Sequence, residues 1–130
     1  MTMDYSINIL VLDDDEAVGF SLYSYLEDCG YNVLTSVSAE DAIEKLKQEK
    51  VDVVIVDLRL PGMDGDVFIE TTYKDYPNLG YIIYTGSTEF TVSQRVEGLR
   101  QVYDEIFFKP ITDISFLEDA INNIARIVKE

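Results

Sequence analysis

VDVVIVDLRL, residues 51–60, runs directly into PGMDG, residues 61–65, and contains the most β-branched run in the chain. Branched side chains fit a pleated, packed surface, and the apolar core of this run does not alternate with polar residues. That pattern describes a strand covered on both faces, as in a parallel sheet. Pro61-Gly62 and Asp64-Gly65 then break the run into a loop, and a helix restarts through Val67, Phe68 and Tyr73. Asp57 therefore falls at the carboxyl end of a buried strand.

The same unit recurs outward in both directions. Upstream, the apolar run of residues 7–12, INILVL, stops at Asp13, Asp14 and Asp15. A helix is expected over residues 16–29, with Val18, Leu22, Tyr25 and Leu26 at helical spacing and Gly30 as a left-handed cap. Residues 31–37 alternate as a strand, Ser38 with Asp41 approaches a capping box, and Ala42, Ile43 and Leu46 stripe a second helix. Downstream, Tyr81 to Tyr84 reads as a strand ending at Thr85-Gly86-Ser87, followed by a less regular helix over about residues 90–99. A short strand over 105–108 ends at Lys109-Pro110. Asp113 or Thr112 then caps a last helix striped by Phe116, Leu117, Ala120, Ile121, Ile124 and Val128. Strand and helix thus alternate about five times. The expected fold is α/β: a doubly wound, five-stranded parallel sheet with helices on both faces and a crevice at the strands' carboxyl ends. One domain is expected over residues 1–130, with its core from about 7 to 128.

Composition narrows the chemistry. The chain has 130 residues and no histidine, which excludes a Ser-His-Asp triad, a His-ligated zinc site and a phosphohistidine donor built from this chain alone. Its 25 acidic and 10 basic residues give a net charge of -15, a field that repels nucleic acid and anionic lipid. Lys45, Lys47 and Lys50 lie among Glu44 and Glu49, the pattern of a solvated helix face rather than a binding patch. Neither nucleic acid nor membrane is an expected partner. Residues 1–6 lack the basic start and apolar run of a secretory signal, and the single Cys29 cannot form an internal disulfide. Cys29 is expected to be reduced and packed, in a cytoplasmic protein.

The strand ends collect complementary groups: Asp13, Asp14 and Asp15 after the first, Asp57 after the third, Thr85 after the fourth and Lys109 after the fifth. Crowded carboxylates repel one another unless a cation offsets them. Mg²⁺, or Mn²⁺, is the expected ion, since a hard cation takes one or two carboxylates, a carbonyl and waters in an octahedral shell. Asp14 and Asp57 are the expected direct ligands, Asp13 acts through a water, and the Arg59 backbone carbonyl completes the protein's share. A carboxylate is also a nucleophile towards phosphorus, and the Lys109 ammonium and Thr85 hydroxyl suit the equatorial oxygens of a phosphoryl group.

ILVLDDDEAV, VDVVIVDLRLPGMDG, YIIYTGS and IFFKP, taken in order, resemble the receiver domain of two-component response regulators over essentially the whole chain. DLRLPGMDG, residues 57–65, is the most diagnostic of them. The resemblance implies a flavodoxin-like strand order, Asp57 as phospho-acceptor, Asp13 and Asp14 in an acidic Mg²⁺ pocket, Thr85 as switch hydroxyl and Lys109 as phosphate-binding lysine. It also implies a cis peptide at Lys109-Pro110, a sensor histidine kinase or phosphotransfer protein as donor, and a switched face from Ser87 to Lys109. That face would be read by a downstream protein or a second copy through the last strand and helix.

The pattern departs in two places. Receiver domains commonly carry Tyr or Phe three residues before the lysine; Ile106 stands there, leaving Tyr84, Tyr103 and Phe107 as substitutes or as ordinary packing. Arg100 to Asp104 replaces the usual Gly-Ala pair. At the rim, Arg59, Gly86 and Ser87 are expected to give a phosphorylated form of moderate to long life, unless Arg59 merely pairs with Asp64 or Asp66. Two other readings remain: a phosphorylation-independent docking module of the same fold, and a phosphatase of the haloacid-dehalogenase type using Asp13 and Asp15.

Overall fold

Val53–Val56 forms the central strand of the sheet, and every residue in it is buried. The computed structural model describes residues 6–87, 92–94 and 96–130. The elements are β1 (Asn8–Leu12), α1 (Glu16–Asp28), β2 (Asn32–Ser36), α2 (Ala39–Gln48), β3 (Val53–Val56), α3 (Gly65–Thr72), β4 (Gly80–Thr85), β5 (Phe107–Phe108) and α4 (Ser115–Val128). The five strands make one sheet in the order β2-β1-β3-β4-β5, and all the pairings are parallel. This is the expected doubly wound, flavodoxin-like α/β fold.

Successive residues of each strand feed opposite cores, as the pleat requires. Ile9, Val11, Val53, Ile55, Ile82 and Tyr84 pack with Leu22 and Leu26 of α1 and Leu117, Ile121, Ile124 and Val128 of α4. Leu10, Leu12, Val54, Val56, Tyr81 and Ile83 pack with Ala42 and Leu46 of α2 and Phe68 and Ile69 of α3. Burying each large aliphatic side chain contributes about 1.5–3 kcal/mol, which explains why β3 is apolar throughout.

Local signals set the helix ends. Asp15 caps α1, its carboxylate accepting the Ala17 and Val18 amides at 2.9 and 3.3 Å. At the other end Gly30 takes φ +100°, and the amides of Gly30 and Tyr31 donate back to Glu27 and Leu26 at 3.0 and 3.1 Å. Ser38 Oγ accepts the Asp41 amide at 3.1 Å and starts α2. Asp113 accepts the Ser115 amide at 3.0 Å, next to Ile114 at the cap position of α4.

Several expectations are corrected. The described residues of the expected helix over 90–99, namely 92–94 and 96–99, form turns, and the described residues contain four helices. Residues 90, 91 and 95 lie outside the description, as do 1–5 of the N-terminal reading. The last strand is shorter than expected, only Phe107–Phe108. Cys29 is exposed rather than packed, because the chain turns at Gly30 and Tyr31 packs against the core in its place. Phe116 and Tyr25 are exposed at 60% and 42%, off the buried stripes of their helices.

The β5 edge has its own construction. Tyr81 bridges Val102, 21 residues on, whereas Tyr84 pairs with Phe107, 23 residues on. Two additional residues therefore bulge from the edge between the pairings. The Gln101 side-chain amide anchors the start of this segment, donating to the carbonyls of Tyr76 and Leu79 at 2.8 and 2.9 Å. Arg100 donates to the carbonyls of Ile127 and, at 2.7 Å, Glu130, beyond the last turn of α4.

Candidate functional site

Asp13 directly follows β1, Asp57 follows β3, Thr85 ends β4 and Lys109 follows β5. Ladder hydrogen bonds fix their backbones: Asp13 N–H to Ser36 O at 3.0 Å, Asp57 N–H to Leu12 O at 3.0 Å, and Lys109 N–H to Thr85 O at 2.9 Å. Parallel strands end together, so residues far apart in sequence line one cleft. The cleft is bounded by Asp13, Asp14, Asp57, Thr85 and Lys109, with Arg59, Gly86 and Ser87 at its rim. Every residue singled out in the sequence as a ligand, nucleophile or phosphate-binding group lies on it.

The loop after Asp57 folds back onto its own start. Gly65 N–H donates to Leu58 O at 2.9 Å, and a Cβ on Gly65 would overlap the Asp57 carbonyl oxygen and the Val56 side chain. Gly62 takes φ +81°, which favours glycine. DLRLPGMDG thus carries two glycines for two reasons, left-handed backbone at one and close approach at the other.

Lys109 Nζ bridges two carboxylates, at 2.5 Å from Asp13 Oδ2 and 3.0 Å from Asp57 Oδ2. Asp13 and Asp57 are buried, at 4% and 7% exposure, and Thr85 at 1%. Burial pushes the Asp13 carboxyl above its ordinary range, against the pull of Lys109 and of the Asp15 amide. Burial would also depress the Lys109 ammonium, but its bonds to Asp13 and Asp57 outweigh that and hold it above its ordinary value. The lysine stays charged at neutral pH. Thr85 Oγ1 accepts the Ser87 amide at 3.2 Å, and the Lys109-Pro110 peptide is cis.

The donor set fits a hard divalent ion. Carboxylate oxygens of Asp13, Asp14 and Asp57 all lie within 4.8 Å of one another. An octahedral shell at ~2.0–2.1 Å spaces its oxygens by roughly 3–4.2 Å, so small side-chain adjustments suffice. Asp13 already accepts from Lys109 and, at 2.9 Å, from the Asp15 amide. Asp14 is exposed, and its carboxylate has no hydrogen-bond partner among the described residues. Asp15 serves as the α1 cap. Asp64 and Asp66 accept the amides of Leu60 and Val67, and Arg59 makes no ion pair with either among the described residues.

One residue at the site escaped the sequence reading in its actual role. Tyr84 lies under Lys109, with its ring centroid 5.7 Å from Nζ. Tyr103 stacks on Phe107 at 6.3 Å and 13°, and both pack on the α1/α4 side, while Ile106 packs on the opposite side.

A family model for the response regulator receiver domain matches residues 9–122. The chain belongs to this family. Curated relatives of the receiver domain include the transcriptional regulatory protein AruR of Pseudomonas aeruginosa, 32% identical over 92% of this chain and 50% of its own. Protein PilH of the same species is 28% identical over 85% of this chain and 91% of its own. The chain spans about half the length of the first curated relatives it matches. Among solved structures, a response regulator receiver domain protein from Clostridium thermocellum superimposes with TM-score 0.82 at 28% identity, covering 95% of this chain and 97% of that one. Such a domain is a signalling phospho-acceptor rather than a classical enzyme, so the phosphatase reading is set aside. Among the described residues no helix is long and apolar enough to cross a membrane.

Proposed function

We propose that Asp57 accepts a phosphoryl group in an Mg²⁺-dependent reaction and that the modification switches the face from Ser87 to Lys109. The observation that carries this reading is the Lys109 ammonium held between Asp13 and Asp57, with Asp14 and Thr85 on the same cleft. A carboxylate oxygen of Asp57 attacks the phosphorus of the donor. The bond from phosphorus to the leaving group, an imidazole nitrogen of a partner histidine kinase or phosphotransfer protein, breaks as the acyl phosphate forms.

Asp14, Asp57 and the Arg59 carbonyl would hold Mg²⁺, or Mn²⁺, with Asp13 acting through a water. When bound, the ion offsets negative charge on the phosphoryl oxygens. Lys109 supplies a further positive charge, and the Thr85 hydroxyl donates to another oxygen. The modification adds ~1.5–2 negative charges and three strong acceptors. Thr85 and Lys109 follow that charge inward, and the segment from Ser87 to Lys109 with α4 takes up a second arrangement. A downstream protein or a second copy binding that face reads the state. Arg59, unpaired at the rim among the described residues, can cover the phosphoryl group from water and lengthen its life. The proposed compartment is the cytosol.

The test is intact mass and peptide mapping after incubation with acetyl phosphate, with and without Mg²⁺, on the wild type and Asp57→Asn. The expected result is one phosphoryl group on Asp57, present only with the metal and lost in the variant. Labelling elsewhere, or no labelling where Mg²⁺ binding is itself demonstrated, overturns the reading. Partner binding unchanged in Asp57→Asn would favour a docking module instead.

A further inference from the structure

Tyr84 precedes Thr85 on β4; the residue is 6% exposed and packs on the α1/α4 side of the sheet. Two separate contacts join it to the lysine. Its ring lies 5.7 Å from Lys109 Nζ, and its hydroxyl accepts the Ile111 N–H at 3.2 Å, two residues beyond Lys109. The backbone of Tyr84 is itself fixed by pairing with Phe107. One buried side chain therefore faces the charged head of Lys109 and bonds the loop through which the lysine is attached.

Lys109 stands in a competition that gives these contacts a purpose. Its ammonium occupies carboxylate oxygens of Asp13 and Asp57, and those residues belong to the proposed metal site. A lysine displaced from Asp13 needs a second place to rest that stays within reach of Asp57 and does not draw on the carboxylates. The face of an aromatic ring attracts a cation through its quadrupole and carries no net charge. We infer that Tyr84 is the positioning residue for Lys109, its ring holding the ammonium over the cleft while its hydroxyl fixes the loop at Ile111. The inference rests on the reading of Lys109 as the phosphate-binding group.

The test is a double-mutant cycle read in two ways. Asp57 phosphorylation is followed against acetyl phosphate concentration at saturating Mg²⁺ in the wild type, Tyr84→Leu, Lys109→Met and the double variant. Amide hydrogen exchange at Ile111 is measured without donor in the wild type and Tyr84→Phe. Tyr84→Leu should raise the half-saturating donor concentration by roughly three- to tenfold when Lys109 is present, and have little effect when Met replaces it. Tyr84→Phe should speed Ile111 exchange by about fivefold, as one hydrogen bond is lost. Tyr84→Met, closer to tyrosine in length, takes the place of the leucine variant if that variant does not unfold cooperatively. An equal effect with and without Lys109, or none, overturns the role of the ring; unchanged Ile111 exchange overturns that of the hydroxyl. A wild type that takes no phosphoryl group refutes the Asp57 reading instead, and the exchange measurement still judges Tyr84.

Discussion

β1 and β2 pair without interruption along all five residues of each strand, whereas β5 holds β4 through two residues and a separate bridge at Tyr81–Val102. Both regions end at residues of the cleft, Asp13 on one side and Lys109 on the other. The acidic side is set by a continuous ladder with apolar cores on both faces. The lysine side depends on side chains that reach across loops: Gln101 to the carbonyls before β4, Arg100 to the end of α4, and Tyr84 to Lys109 and Ile111. A switch needs one fixed half and one that can be re-set at modest energetic cost, and the two halves of this sheet differ in that sense.

Truncations should rank the two regions. Leu12→Ala removes a fully buried side chain beside the acidic cleft and should lower stability by about 3–4 kcal/mol in denaturant unfolding. Gln101→Ala removes the side-chain donor from the Leu79 carbonyl and one of two donors from the Tyr76 carbonyl, and should cost about 1–2 kcal/mol, with faster amide exchange at Tyr81 and Tyr103. Similar losses for these two variants would erase the contrast. Arg100→Ala, at an exposed helix end, should cost only about 0.5–1 kcal/mol, with its exchange effect confined to the last turn of α4.

The smallest effect concerns Cys29, at the C-terminal end of α1. Its thiol is exposed, yet partial desolvation and the hydrogen bond and charge of Glu118 push its pKa above the ordinary thiol value. A raised pKa leaves less thiolate at pH 7, so alkylation there should be slower than for a free cysteine and should accelerate with rising pH. Glu118→Gln should speed it. Alkylation at the free-thiol rate at pH 7 would contradict this environment.

The sequence was most readable where burial on both faces suppresses alternation. VVIV and its neighbours leave little choice but a central parallel strand, and the polar residues that end each run had to meet at one edge of the sheet. That logic located Asp13, Asp14, Asp57, Thr85 and Lys109 together. It failed over the described part of residues 90–99, where Val92, Val96 and Leu99 recur at four and three as in a helix. In that stretch, successive turns put Val92 and Val96 in the core with Leu99 packed against it. Periodicity reports which side chains are covered, and a series of turns can satisfy the same spacing. Cys29 was misplaced because Gly30 reverses the chain and hands its position in the helical stripe to Tyr31. The close approach of Gly65 to Asp57, and the ring of Tyr84 beneath Lys109, depend on distances between segments that no local pattern encodes.

The most direct test compares amide hydrogen exchange across the whole chain before and after phosphorylation of Asp57 by acetyl phosphate with Mg²⁺. The account predicts changed protection in β4, in residues 101–111 and in α4, with β1, β2 and α2 unaltered beyond Asp13 and Asp14. Changes spread evenly over both halves of the sheet, or confined to the loop that carries Asp57, would contradict it.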